Sequence, residues 1–189
     1  MKNQLLYVIL CSLLVIGLSS CKKKEEPTEL ELLPSITQTG QNTFGCLLNG
    51  DAAFTSLYMS QLSSSGVDFY LSPDSNLTIS AITKNSGKRI DFRIELDYQG
   101  LLAKSHNSSN FLSLIFTANL NPDGSGGPND FYSYKNGTPF MINITKFTGN
   151  QNTGGLNSDI LSGTFDIKLT NLLNDTLKIT NGRFDVKKQ

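Results

Sequence analysis

The chain has 189 residues, with 16 Lys and Arg against 16 Asp and Glu, one His, three Cys, no Trp and only 17% charged residues. Without a basic surplus it carries no electrostatic footprint for nucleic acid, and without an acidic one it has little to attract cationic partners. A single His and three scattered Cys argue against a zinc site or a Cys/His catalytic pair, whereas the sixteen Gly, eleven Phe and six Tyr suit an all-β protein, aromatic residues favouring pleated surfaces and Gly the turns between them.

Lys2 precedes an uncharged apolar run of fourteen residues at 5–18, and Leu18-Ser19-Ser20-Cys21 follows directly. A short positive start and an apolar stretch of this size form a secretory leader; a bilayer-spanning helix needs roughly 20 residues. The run ending in Leu-Ser-Ser-Cys resembles the lipobox of bacterial lipoproteins, where signal peptidase II cuts before a cysteine already carrying a diacylglyceryl thioether. The resemblance implies a signal peptide at 1–20 and an acylated Cys21 that starts the mature chain, with a membrane as partner through an N-terminal lipid anchor. Each buried CH₂ contributes about 0.8 kcal/mol, and a stable anchor takes two or more acyl chains.

Lys22-Lys23-Lys24-Glu25-Glu26 comes next. A Lys at the second mature position is not the Asp that retains lipoproteins in the inner membrane of enteric bacteria, so the resemblance implies sorting to the cell outer membrane. Lys24, Glu25 and Glu26 further resemble the surface-export signal of Bacteroidota lipoproteins, which implies exposure to the exterior. A solvated charge run holding the tether off the membrane accounts for the same residues. Two prolines and the polar stretch Thr37-Gln38-Thr39-Gly40-Gln41-Asn42 mark 21–42 as a flexible tether. Its one apolar patch, Leu30 to Leu33, could instead be a docked strand or a single helical turn.

Residues 43–189 have the size of one domain. Strand signals open with Phe44 to Leu48, Ala53 to Tyr58, Val67 to Leu71 and Leu77 to Ile82, separated at Asn49-Gly50-Asp51 by a hairpin turn. Cys46 alternates with Phe44 and Leu48, as a small buried hydrophobe would. After the turn Asn85-Ser86-Gly87, the run 89–98 puts Ile90, Phe92, Ile94, Leu96 and Tyr98 on one face and Arg89, Asp91, Arg93, Glu95 and Asp97 on the other. One buried and one wet face describe an antiparallel sheet. Paired carboxylates are what glycosidases use, but these alternate with arginines and read as a cross-strand ion-pair ladder that holds the carboxylates ionised.

His106 follows in the polar segment 104–109, expected as a loop, with no nucleophile motif beside it. Leu112, Leu114, Phe116, Ala118 and Leu120 share the next strand face. Residues 121–130 space oxygen ligands two apart, as calcium loops do, but the acidic residue needed at loop position twelve is replaced by Tyr132, so no metal is assigned. Tyr132 and Tyr134 would share one face of an extended segment and form a candidate ligand face for a sugar, although sugar-binding surfaces lean on Trp, which is absent. Asn136-Gly137 reads as a turn before Phe140, Ile142 and Ile144, and Phe165, Ile167 and Leu169 form the next strand. Asp175-Thr176-Leu177 resembles the acceptor for O-glycosylation of exported Bacteroidota proteins, which implies a glycan on Thr176. Leu177 and Ile179 lie on odd positions but Phe184 and Val186 on even ones, so Asn181-Gly182 is either a two-residue turn or a bulge that resets the alternation.

Nine or ten short strands without an amphipathic helix indicate an antiparallel β-sandwich, with a closed β-barrel as the alternative. Leu33-Pro34, Thr37 to Gly40, Asn42 to Cys46, Asn49-Gly50, Gly163-Thr164-Phe165 and Ile179 to Val186 resemble an uncharacterised family of Bacteroidota lipoproteins. That resemblance implies location and a one-domain β architecture, and supplies no catalytic residues or cofactor. The expected function is a non-enzymatic surface lipoprotein that binds or scaffolds an envelope component, protein or glycan; the alternative is an extracellular hydrolase with a dispersed active site.

Overall fold

The computed structural model describes residues 26–55, 66–71, 76–85, 88–97, 105–107, 114–120, 127–148 and 159–188. Cys21, Lys24, Glu25 and most of the 121–130 segment lie outside the described residues. Eleven strands form: β1 Thr43–Leu48, β2 Asp51–Phe54, β3 Val67–Leu71, β4 Asn76–Asn85, β5 Lys88–Asp97, β6 Ser105–Asn107, β7 Leu114–Asn119, β8 Phe131–Ser133, β9 Phe140–Phe147, β10 Ile160–Thr170 and β11 Thr176–Lys187. A 3-10 turn occupies Pro128–Asp130.

Every pairing is antiparallel. The order β11-β1-β2-β4-β5-β7-β8-β10, with β10 paired back to β11, closes an eight-stranded barrel. The all-β antiparallel fold is thus present, and of the two arrangements expected from sequence the strands adopt the closed barrel. Two of its joints are single bridges, Phe54 with Lys84 and Thr170 with Ser133. The ring therefore consists of two well-paired arcs meeting at narrow seams, which is why its strands alternate like the layers of a sandwich. β3 branches from β4, and β9 with β6 from β10.

Alternation delivers the core. Ile90, Phe92, Ile94 and Leu96 of β5, Phe116 and Ala118 of β7, Ile142 and Ile144 of β9, and Phe165, Ile167 and Leu169 of β10 are all buried. At the centre Phe44 packs against Phe92 and Phe165, with ring centroids 5.2 and 5.5 Å apart, and Phe116 against Phe165 at 5.4 Å. These rings come from both arcs and hold them face to face. Glycine makes room for them: a Cβ on Gly182 would lie 2.5 Å from the Phe165 ring, and one on Gly163 2.6 Å from the Phe184 ring.

Turn chemistry is mostly where it was expected. Asn49 and Gly50 both take positive φ, 52° and 109°, and close the β1–β2 hairpin. Asn181, at φ 53°, sits inside the continuous β11, where the register with β10 and β1 slips, so the bulge and not the turn resets the alternation. Asn136-Gly137 forms the expected turn, with Gly137 at φ 87°, and joins β8 to β9, which follow each other along the same edge of β10. One expectation fails. His106 belongs to a short strand, not a loop, because Ser105–Asn107 adds to the free edge of β9.

One inward side chain breaks the apolar pattern. Thr83 is fully buried, and its hydroxyl has no hydrogen-bond partner. An unsatisfied buried polar group costs about 1–3 kcal/mol, so Thr83→Val is expected to raise stability by about 1 kcal/mol in urea unfolding, with an unchanged dependence on denaturant.

Candidate functional site at the N-terminal end of the barrel

The segment expected as a flexible tether is docked over its described part, 26–42. Thr28 and Glu31 form a capping box: the Glu31 carboxylate accepts from the Thr28 backbone N–H at 2.7 Å, and the Thr28 hydroxyl accepts from the Glu31 N–H. The backbone bond from Thr28 first, and then a bond donated by the Thr28 hydroxyl to the same carboxylate, lower the Glu31 pKa. Residues 28–33 thereby form a single helical turn, one of the two arrangements expected for this patch. Leu33 is buried, while Leu30 and Leu32 face outward at 48% and 39% exposure. Glu29 ties the turn to the barrel by accepting from the Ala52 N–H at 2.7 Å, beside the β1–β2 hairpin. Farther along, the Pro34 ring lies over Gly45, its carbonyl accepts from Arg183, and Lys146 donates to the Gln38 carbonyl.

The segment ends on Asp185. This residue of β11 sits between the inward Phe184 and Val186 and so faces outward, yet it is buried, because residues 37–41 lie over it. Its carboxylate accepts from Thr37 Oγ1 at 2.5 Å, Ser162 Oγ at 2.6 Å, and the backbone N–H groups of Thr39, Gly40 and Gln41 at 3.1, 2.9 and 3.1 Å. Burial alone raises the pKa. The bonds from Ser162, Thr37, Gln41 and Gly40 together outweigh it, and the carboxyl is held below its ordinary value.

The chain therefore runs down the barrel from Glu29, at the end formed by the β1–β2 turn, to Asp185 near the other, before β1 turns back. At the first of these ends the β10–β11 hairpin carries an unusual turn. Asn171 is buried and uses its whole amide: Oδ1 accepts from the N–H groups of Leu173 and Asp175, and Nδ2 donates to the Asn129 carbonyl and the Asp175 carboxylate. That fixed turn holds Leu172 and Leu173 outward, 78% and 63% exposed. A cleft of about 490 Å³ beside it is lined by Leu172, Phe131 and Lys135 among others, and Phe131 is itself half-exposed.

The residues singled out by sequence are dispersed. Glu26 is exposed at the start of the described chain. Tyr132 and Tyr134 share a face, as expected for an extended segment, but that face packs partly buried against the core, and the Tyr134 hydroxyl donates to the Thr138 carbonyl; the outward aromatic of β8 is Phe131. Thr176 is exposed at the start of β11 and borders a shallow groove of about 520 Å³ on the outer face of β9, β10 and β11. That groove holds one carboxylate, Asp166, which accepts from the Asn181 N–H. On β5 Arg89 pairs with Asp91 and Arg93 with Glu95 along the strand, since i and i+2 side chains stand side by side on the outer face. Cys46 is a buried free thiol, and desolvation pushes its pKa upward. Among the described residues no cluster of three or more His, Cys, Asp or Glu could hold a metal ion.

Asp185 and Asn171 carry the two best-built polar centres, and neither stands out in sequence. The available signals were a carboxylate between two core positions of β11 and a pair of leucines inside a turn. No protein-family profile matches the chain, and neither do any curated protein or solved structure.

Two substitutions test these centres. Asp185→Asn is expected to cost about 2–3 kcal/mol at neutral pH, through the loss of charge-assisted bonds. Because the folded pKa lies below the unfolded one, that stabilisation is fully present above the ordinary carboxylate pKa of about 3.9 and is lost as pH falls through the lower, folded value. The stability gap between wild type and variant in urea unfolding should therefore narrow below about pH 4. Asn171→Ala is expected to cost about 1–3 kcal/mol and to speed amide hydrogen exchange at Leu173 and Asp175 while leaving β4 and β5 unchanged.

Proposed function

We propose that this chain is a lipid-anchored protein of the outer membrane, facing the exterior, whose barrel is a non-enzymatic binding or structural module for an envelope component, protein or glycan. The leader and Leu18-Ser19-Ser20-Cys21 support the anchor, and the resemblance to Bacteroidota lipoproteins supports the location. One structural observation supports the binding role: the phenylalanine cluster packs inside the barrel, while its N-terminal end exposes Leu30, Leu32, Leu172 and Leu173 on hydrogen-bonded turns. Glu29 fastens the chain to that same end, so the anchor holds the barrel by a defined point.

The full chain is expected to yield an acylated Cys21 by intact mass and to fractionate with outer membranes. Cys21→Ser should carry no acyl mass and leave the membrane fraction. Protease added to intact cells should remove the protein; survival in intact cells with loss in lysed ones would refute exposure to the exterior.

A further inference from the structure

We infer that the Leu172–Leu173 turn is a second membrane contact, entering the interfacial layer of the bilayer that holds the lipid anchor; this rests on the reading of Cys21 as acylated. Three observations converge on it. First, the turn is built to expose apolar surface. A loose loop would let two adjacent leucines fold back on the barrel, but Asn171 Oδ1 binds the turn's backbone at Leu173 and Asp175, and its Nδ2 is itself held by the Asn129 carbonyl and the Asp175 carboxylate.

Second, the chain outside the described residues starts from this end. Glu29 is bonded beside the β1–β2 turn, and only seven residues lie between it and Cys21, a reach of at most roughly 28 Å. Asn49 in that turn exchanges hydrogen bonds with Lys178 of β11. From that level the β10–β11 hairpin continues by about three residues, so its tip projects roughly 10 Å past its neighbour. Among the described residues, the hairpin tip thus carries a pair of leucines beyond the level of the β1–β2 turn.

Third, the surroundings suit an interface between headgroups and acyl chains. Leu30 and Leu32 are exposed in the turn that Glu29 fastens, and Phe131 is half-exposed beside Leu172. Lys135, exposed on the rim of the same cleft, can reach headgroup phosphates while its stem lies along the apolar surface. A few apolar side chains at such depth bind only weakly alone. Next to an acyl anchor they act at high local concentration, so their effect is to set the orientation of the barrel and not to attach it.

The absence of Trp makes the test direct. The full, acylated chain carrying Leu172→Trp is reconstituted in vesicles of phosphatidylethanolamine and phosphatidylglycerol, with Tyr70→Trp, an exposed position on the flank of β3, as comparison. Both sites are solvent-facing, and unchanged urea midpoints would show that the fold is intact. The expected result is a blue-shifted emission for Leu172→Trp, quenched severalfold more by lipids brominated along the upper acyl chain than that of Tyr70→Trp. Water-like, unquenched emission from Leu172→Trp, with acylation of Cys21 confirmed by mass, would overturn the inference and leave the anchor standing. Equal quenching at both sites would also overturn it, since the barrel would then lie on its side. Shielding of Leu172→Trp from iodide in native envelopes, without bromolipid quenching, would assign the turn to a protein partner instead. An unmodified Cys21 would remove the anchor and the second contact together.

Discussion

The barrel depends on phenylalanine packing across its interior. Hydrogen bonding alone leaves two arcs joined at Phe54–Lys84 and Thr170–Ser133, one bridge at each seam. Phe92 and Phe116 from one arc meet Phe44 and Phe165 from the other at centroid distances that aromatic pairs prefer. Burying rings of this size stabilises the assembly far more than either bridge, since truncating a buried Phe typically costs about 3–5 kcal/mol. The same packing explains the glycines at 163 and 182, where any side chain would collide with a ring.

A second, polar constraint sets how the barrel is presented. Asp185 gathers five donors, four of them from residues 37–41, and so seals the N-terminal segment along the outside of β11. Glu29 fastens the other end of that segment beside the β1–β2 hairpin. Between these two clamps a stretch of turn-forming, polar composition becomes part of the folded body. The described chain is thereby fastened at one end of the barrel instead of running back to Thr43 as a loose string. That end is the one where Asn171 holds Leu172 and Leu173 outward.

Much of this was legible in the sequence because period-two alternation depends only on the pleat. Residues 90–96 had to turn one face inward, Asn49-Gly50 had to close a hairpin, and the phase change between Ile179 and Phe184 had to be repaired near Asn181, since a strand that slips by one residue exposes its whole apolar set. The apolar run at 5–18 and the Leu18-Ser19-Ser20-Cys21 pattern after it are equally local features. Tyr132 and Tyr134 show the limit of such reasoning: alternation puts them on one face without saying which face is the core. The same limit applies to Asn136-Gly137, whose composition marks a turn but not whether the strands on either side pair with each other.

What the sequence determined by itself, then, was an antiparallel all-β chain with its turns and its apolar faces, all consequences of spacing between near neighbours. What only the tertiary structure decided was the closure of the ring, the docking of residues 26–42 and the two polar centres. Asp185 meets Thr37 across 148 positions, and Asn171 meets Asn129 across 42. A carboxylate or an amide acquires such partners only when distant strands are brought side by side, and its own neighbours in the chain do not reveal them.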